Sequence, residues 1–276
     1  MKLFGKLVHF EFRRFLPIYL SLLAVVLLIQ AAGVVIYSSI MKSEITDNVI
    51  KHGMSKEQYL QDYGYISIGD ILTSSMFTLP IIIAAVTIFI YILFIWYRDW
   101  LGKNTFIYRL LMLPVKRIQL FFSKAAAILL FVFGLVAFQI VILPVLQTIL
   151  KWIIPVDYRL DLTIQGILRS FDYFKILLPE HFGDFIVHYG FGTAFVIVLF
   201  TMILIERSYR FKGVFIAAFY GIAGLVIVFS PYILQSAMKG YFYENELVWM
   251  QFAAAVVFSV ISIFFSNHLL NRKIRV

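Results

Sequence analysis

Apolar positions in this chain are gathered into six blocks, 15–41, 71–97, 125–150, 185–205, 213–238 and 247–271, and none of the six contains an Asp, Glu, Lys or Arg. Each block is 21 to 27 residues long. An α-helix rises about 1.5 Å per residue and the hydrocarbon core of a bilayer is about 30 Å thick, so each block predicts one membrane-spanning helix. A different pattern precedes the first block. At about 100° per residue, Lys2, Lys6, His9 and Arg13 share one narrow arc, while Leu3, Phe4, Leu7, Val8, Phe12 and Phe15 fill the other side. Residues 2–15 are therefore expected to form an amphipathic helix lying in the membrane interface. Glu11 sits among the apolar positions with Arg14 three residues on, which reads either as a local ion pair or as a contact to a cytosolic partner.

The segments between the blocks carry weaker signals. In 42–70, Ser55-Lys56-Glu57-Gln58 is a capping-box pattern and predicts a short helix running to about Asp62. In 151–184, Ile164, Ile167, Leu168, Phe171, Leu177 and Leu178 recur at roughly helical spacing, with Arg169, Asp172 and Lys175 between them. That segment is too short and too charged for a seventh span. It reads as an interfacial helix on the outer face, with a lid over a substrate cavity as the alternative. Ala217, Gly221 and Gly224 in the fifth block, and Gly190 and Gly192 at the start of the fourth, are small residues of the kind that let membrane helices pack closely. Pro80 and Pro144 lie inside spans, where kinks are tolerated.

Composition agrees with lipid as the solvent: 62% of the residues are apolar and 14% charged, against about 25% charged in a typical soluble domain. With no cysteine, disulfides, thiolate metal sites and cysteine catalysis are excluded. The scattered charges Lys2, Lys6, Arg13 and Arg14, with no small-residue cleavage site after them, argue against a removable signal peptide. The charge is distributed by side. The segments at 1–14, 98–124, 206–212 and 272–276 together hold sixteen Lys and Arg and three acids, Glu11, Asp99 and Glu206. The opposite side keeps eight basic residues and twelve acids. By the positive-inside rule both termini are expected in the cytoplasm. The net charge of +9 is thus a topology signal, and no nucleic-acid motif accompanies it.

Catalytic signatures are sparse. The span interiors lack ionisable residues apart from His188, near the outer end of span 4, with His268 at the very end of the last block, which weighs against a proton-driven transporter or an intramembrane protease. There is no His-Glu-x-x-His and no G-x-S-x-G. Glu180, His181, Asp184 and His188 have spacing that places three ligands on one helix face, yet Pro179 and Gly183 argue for a turn, so a metal site and a plain polar interface are both open. Gly102-Lys103-Asn104-Thr105 resembles the tail of a phosphate-binding loop, but Tyr97 stands where the first Gly is required and Asn104 follows the Lys. No ATP site is expected in this chain.

Residues 98–124, RDWLGKNTFIYRLLMLPVKRIQLFFSK, lie between spans 2 and 3 and form the most basic of these segments. The order acid, Gly, Thr, an apolar helix-like run, Leu-Pro-x-x-Arg and a later Lys is set by Asp99, Gly102, Thr105, Leu110, Leu113, Pro114, Arg117 and Lys124. It resembles the loop E-x-x-G-T…L…LP-x-x-R…K of the permease subunits of ABC transporters of the ABC-2 type. Asp99 stands in place of the usual Glu, and Thr105 comes two residues later than in that pattern.

The resemblance implies an all-α membrane protein of six transmembrane helices, with an N-terminal amphipathic interfacial helix and a cytoplasmic coupling helix, roughly Asn104–Met112, between spans 2 and 3. The chain would be a single transmembrane domain over 1–276 without a nucleotide-binding domain, in a bacterial plasma membrane. Phe106, Ile107, Leu110 and Leu111 would anchor in an apolar groove of a cytosolic ABC ATPase, and Arg109, Lys116 and Arg117 would meet acids on its rim. Asp99, Gly102, Thr105 and Pro114 complete the implied coupling segment. The implied partners are two copies of the ATPase, which would hold ATP and Mg, a second permease copy or similar subunit, and the bilayer. The cargo suited to such apolar spans is hydrophobic or amphipathic, a peptide toxin, an antimicrobial peptide or a lipid. The competing readings are a membrane sensor or resistance protein that binds such a molecule without moving it, and an integral membrane enzyme acting on lipid.

Overall fold

The computed structural model describes residues 2–101, 106–112, 114–170, 172–179, 181–238 and 240–274. In chain order the elements are α1 (Lys2–Thr46), α2 (Lys56–Tyr63), β1 (Ile66–Ser67), α3 (Ile68–Leu72), α4 (Ser75–Trp100), α5 (Phe106–Leu111), α6 (Ile118–Ile153), β2 (Arg159–Leu160), α7 (Ile164–Ser170), α8 (Asp172–Leu177), α9 (Phe182–Ala237) and α10 (Glu244–His268). Among the described residues, six helical stretches are long and apolar enough to cross a membrane: Leu3–Lys51, Ser75–Trp100, Ile118–Ile153, Phe182–Tyr209, Phe211–Ala237 and Glu244–Lys273. The chain is an all-α, multi-pass membrane protein. α1, α6 and the start of α9 run past their charge-free blocks, because a charged residue ends an apolar block without ending a helix.

At the N-terminus this changes the picture. Residues 2–15 are helical, but they are the opening turns of α1, a single helix of 45 residues. No helix stop separates them from the first span, and Pro17 lies within the helix. α9 holds the opposite surprise. Its hydrogen-bond pattern is helical over 56 residues and contains spans 4 and 5 together. Seven residues of straight helix cover about 10 Å, yet a Cβ on Gly213 would lie 2.6 Å from the carbonyl oxygen of Glu206. The chain therefore turns back tightly there, and Gly213 is the residue that leaves room for it. Past the turn, a Cβ on Gly221 would meet Met202 at 2.8 Å, and one on Gly224 would meet Phe258 of α10 at 2.5 Å. Ala217, Gly221 and Gly224 do serve close packing, as does Gly190, where a Cβ would lie 2.4 Å from Phe252, whereas Gly192 has open space beside it.

The chain divides into two compact units. One comprises Met1–Arg14, Ile88–Leu130 and Glu180–Val276; the other Phe15–Thr87 and Phe131–Pro179. The second unit has an apolar core in which Tyr59, Ile68, Ile71, Leu72 and Phe77 pack with Leu146, Leu150, Ile167 and Phe174. The two connecting segments thus fold onto each other. Ser55 and Gln58 form the capping box read from sequence, the Ser55 N–H donating to Gln58 Oε1 at 3.0 Å and the Gln58 N–H to Ser55 Oγ at 3.2 Å. β1 and β2 pair in parallel, Ile66 opposite Arg159 and Ser67 opposite Leu160, a contact that local pattern could not supply. Residues 164–170 and 172–177 form two short helices whose Ile167 and Phe174 are buried in this core, while Phe171 lies outside the described residues. Their apolar side has a protein partner, in contrast to the free interfacial face expected from sequence.

Candidate functional site

The loop between spans 2 and 3 belongs to the first unit, together with the opening turns of α1 and the start of α6. Each of these helices carries an apolar stripe that includes one charged residue. Leu7 and Glu11 are four apart on α1; Ile92, Ile95, Trp96 and Asp99 share a face of α4; Leu120, Phe121, Lys124, Ala127 and Ile128 share one on α6. All are buried. Burial of the stripes brings the three charges together.

Lys124 is the centre. Its Nζ donates to Glu11 Oε1 at 2.6 Å, to Asp99 Oδ2 at 2.5 Å and to the Ile95 carbonyl oxygen at 3.2 Å, so the three donors of the ammonium are all used. Trp96 lies alongside, its ring centroid 5.2 Å from Nζ. Asp99 also accepts from Arg14 Nη1 at 2.7 Å, and Glu11 from Arg98 Nη2 at 3.0 Å. The Glu11–Arg14 pair expected within α1 is present but long, at 3.9 Å. Two carboxylates face three cations, a local balance of +1, with Lys124 and Asp99 wholly buried and the two arginines partly exposed. Such a group survives burial because every charge has an opposite partner within hydrogen-bond distance.

Around this cluster lie the other basic segments. Arg207 of α9 stacks over Tyr97, 4.6 Å from its ring centroid, and Tyr97 donates to Glu206. Arg117 donates through Nη1 to the carbonyl oxygens of Leu270, at 2.5 Å, and Ile274, at 2.9 Å, satisfying acceptors at the end of the last helix. The four segments that sequence placed on one side do meet within one unit.

The implied coupling residues are distributed otherwise than expected. α5 forms over Phe106–Leu111, inside the anticipated helix. Gly102, Thr105 and Leu113 lie outside the described residues, as do Lys103 and Asn104. Ile107, Leu110 and Leu111 are buried in the protein itself, so they are not free anchors for a partner's groove. Asp99 is consumed in the ion cluster. Phe106 is half-buried and stacks on Phe10 with ring centroids 5.8 Å apart, and the Arg14 guanidinium sits 5.2 Å from the Phe106 centroid. Among the described residues of α5 and the turn after it, Arg109, Met112 (70% exposed), Pro114 and Lys116 form the exposed ridge.

The other sequence candidate does not converge. His181, Asp184 and His188 are exposed, and His188 Nδ1 lies 2.9 Å from the Asp184 backbone oxygen. Glu180 lies outside the described residues. Among the described residues no group of three or more metal-ligating side chains is placed to hold an ion. No family model, curated protein or solved structure matches this chain.

The ion cluster is what sequence reading missed. Taking charge-free blocks as spans cut the helices off at residues 97 and 125, one or two positions short of Asp99 and Lys124. A signal was present: acids at 11 and 99 and a base at 124, each on the apolar stripe of its helix.

Proposed function

We propose that this chain is the membrane-spanning permease subunit of an ATP-driven exporter of the ABC-2 type, working with a separate cytosolic ATPase. In this reading the basic segments and both termini face the cytosol of a bacterial cell, and two permease subunits act as a pair. The observation that carries it is α5: a short helix between spans 2 and 3, backed by buried Ile107, Leu110 and Leu111, beside an exposed ridge of Arg109, Met112, Pro114 and Lys116. A helix whose inner face is fixed to the bundle can transmit a push, and a cationic ridge with one long apolar side chain suits a groove with an acidic rim. The docking surface is thus that ridge. ATP and Mg would be held by the ATPase, whose closure on ATP would shift the permease between its states through differential affinity.

The cargo proposed is hydrophobic or amphipathic. Its support is an apolar cavity of about 620 Å³ within the first unit, lined by Phe195, Met202, Gly221, Leu225 and Phe258, with Gln251 as a polar group.

The test is purification in mild detergent of the parent and of an Arg109→Glu/Met112→Asp variant, with mass spectrometry of what accompanies each. The reading expects the ATPase to be lost from the variant while the amount and melting temperature of the chain stay unchanged. An ATPase retained in full by the variant would put docking elsewhere.

A further inference from the structure

The opening turns of α1 are fastened to the rest of the first unit in an unusual way. Among the described residues from Leu3 to Arg14, only Leu7 and Glu11 are buried; Leu3, Gly5, Lys6, His9, Phe10 and Arg13 are exposed. A surface helix normally holds on by an apolar stripe of three or four residues per two turns. Here Leu7 and the half-buried Phe4, Val8 and Phe12 supply the apolar side, and the buried Glu11 carboxylate adds a charged tie in the middle of it. The carboxylate is tied on both oxygens, to Lys124 at 2.6 Å and Arg98 at 3.0 Å, and Arg14, one turn on, is tied to Asp99 at 2.7 Å. The same arginine lies against both the Phe10 and Phe106 rings, 5.0 and 5.2 Å from their centroids. α5 therefore touches the N-terminal segment directly through Phe106.

We propose that Glu11, Lys124, Asp99 and Arg14 form an ionic clasp that fastens the N-terminal helical segment to the ends of α4 and α6 that flank α5, and thereby holds it beside α5, so that these pieces move together. The clasp, rather than apolar packing, decides whether they do. Charge makes the fastening costly to loosen, because removing one carboxylate's charge leaves Lys124 wholly buried beside a site that no longer balances it. Under the transport reading above, on which this purpose rests, the clasp passes a displacement of α5 to α1 as well as to α4 and α6.

The chain has no cysteine of its own, so a cysteine pair reports on one distance alone. In the full chain in lipid nanodiscs, Phe10→Cys and Phe106→Cys would be bridged with dibromobimane, which fluoresces once both arms have reacted. The ring stack and the Arg14–ring contacts are removed by these changes, so the place of the N-terminal segment beside α5 then depends on its clasp to α4 and α6. Fast bridging is expected in this background. Adding Glu11→Gln should slow bridging about tenfold, the loss expected when a charge-assisted buried hydrogen bond is weakened. Glu11→Asp, which keeps the charge, should restore most of the rate, and Leu7→Ala should change it less than twofold. Lys124→Met should act like Glu11→Gln wherever its melting curve shows a folded chain. Equal bridging in the parent and Glu11→Gln would overturn the proposal. So would a Leu7→Ala effect as large as that of Glu11→Gln, or an Asp that rescues nothing. No ATPase or cargo enters the assay, so the clasp and the transport reading can each fail without the other.

Discussion

Two cores in this molecule are built on opposite principles. In the first unit, Glu11, Asp99 and Lys124 are buried and matched charge to charge. In the second, Tyr59, Ile68, Ile71, Phe77, Ile167 and Phe174 make an apolar pack that ties two connecting segments together. The apolar pack is tolerant: a smaller side chain leaves a cavity whose cost scales with its volume. The charged core is not, because deletion of one member leaves another buried without a partner. A fold can use the first kind to hold surface segments in place and the second to specify one register among three helices.

The sharpest break in that contrast is Lys124→Met. It leaves two buried carboxylates without their shared cation and should cost about 3–5 kcal/mol, read from denaturation in detergent. Adding Glu11→Gln and Asp99→Asn to it should recover most of that loss. Failure to recover would mean that Lys124 acts by packing. Phe174→Ala should cost about 3 kcal/mol by opening a cavity in the apolar pack, and no second substitution of charge should restore it. A smaller step is Ser55→Ala, which removes the cap of α2 and should cost about 1 kcal/mol, detected as faster hydrogen exchange over Lys56–Tyr63. Burial raises the Tyr59 phenol above its ordinary 10.0, so the unfolded chain loses its proton first and the apolar pack weakens as pH climbs beyond that value. Tyr59→Phe should remove this part of the alkaline loss. At the bottom of the scale, Asp157→Asn breaks the exposed Lys56–Asp157 pair, with no shift in melting temperature expected.

The parts of the fold that follow from local pattern were legible in the sequence. Six apolar blocks, the Ser55 capping box and the small residues of the fifth span each follow from spacing along one helix, and all appear in the structure. What could not be read depends on partners distant in sequence. The β1–β2 pair joins residues more than ninety positions apart, and the burial of Ile167 and Phe174 needs the first connecting segment to receive them. The candidate site divides in the same way. A short helix in this loop was implied by the family resemblance, but which face would be free was not legible, since Ile107, Leu110 and Leu111 serve an internal neighbour as well as they would serve a foreign groove. Charge was the misleading element. Asp99 and Lys124 look like span ends in a one-dimensional reading, whereas each is the polar member of an otherwise apolar helix face.

The central claim, that this chain transmits the work of a separate ATPase, is tested most directly by mild-detergent purification from its own cell with mass spectrometry of the co-purifying proteins. The account predicts a soluble protein carrying a G-x-x-x-x-G-K-[ST] loop at near-equal stoichiometry. A chain that purifies without any ATPase across several detergents would contradict it and leave α5 without a docking partner.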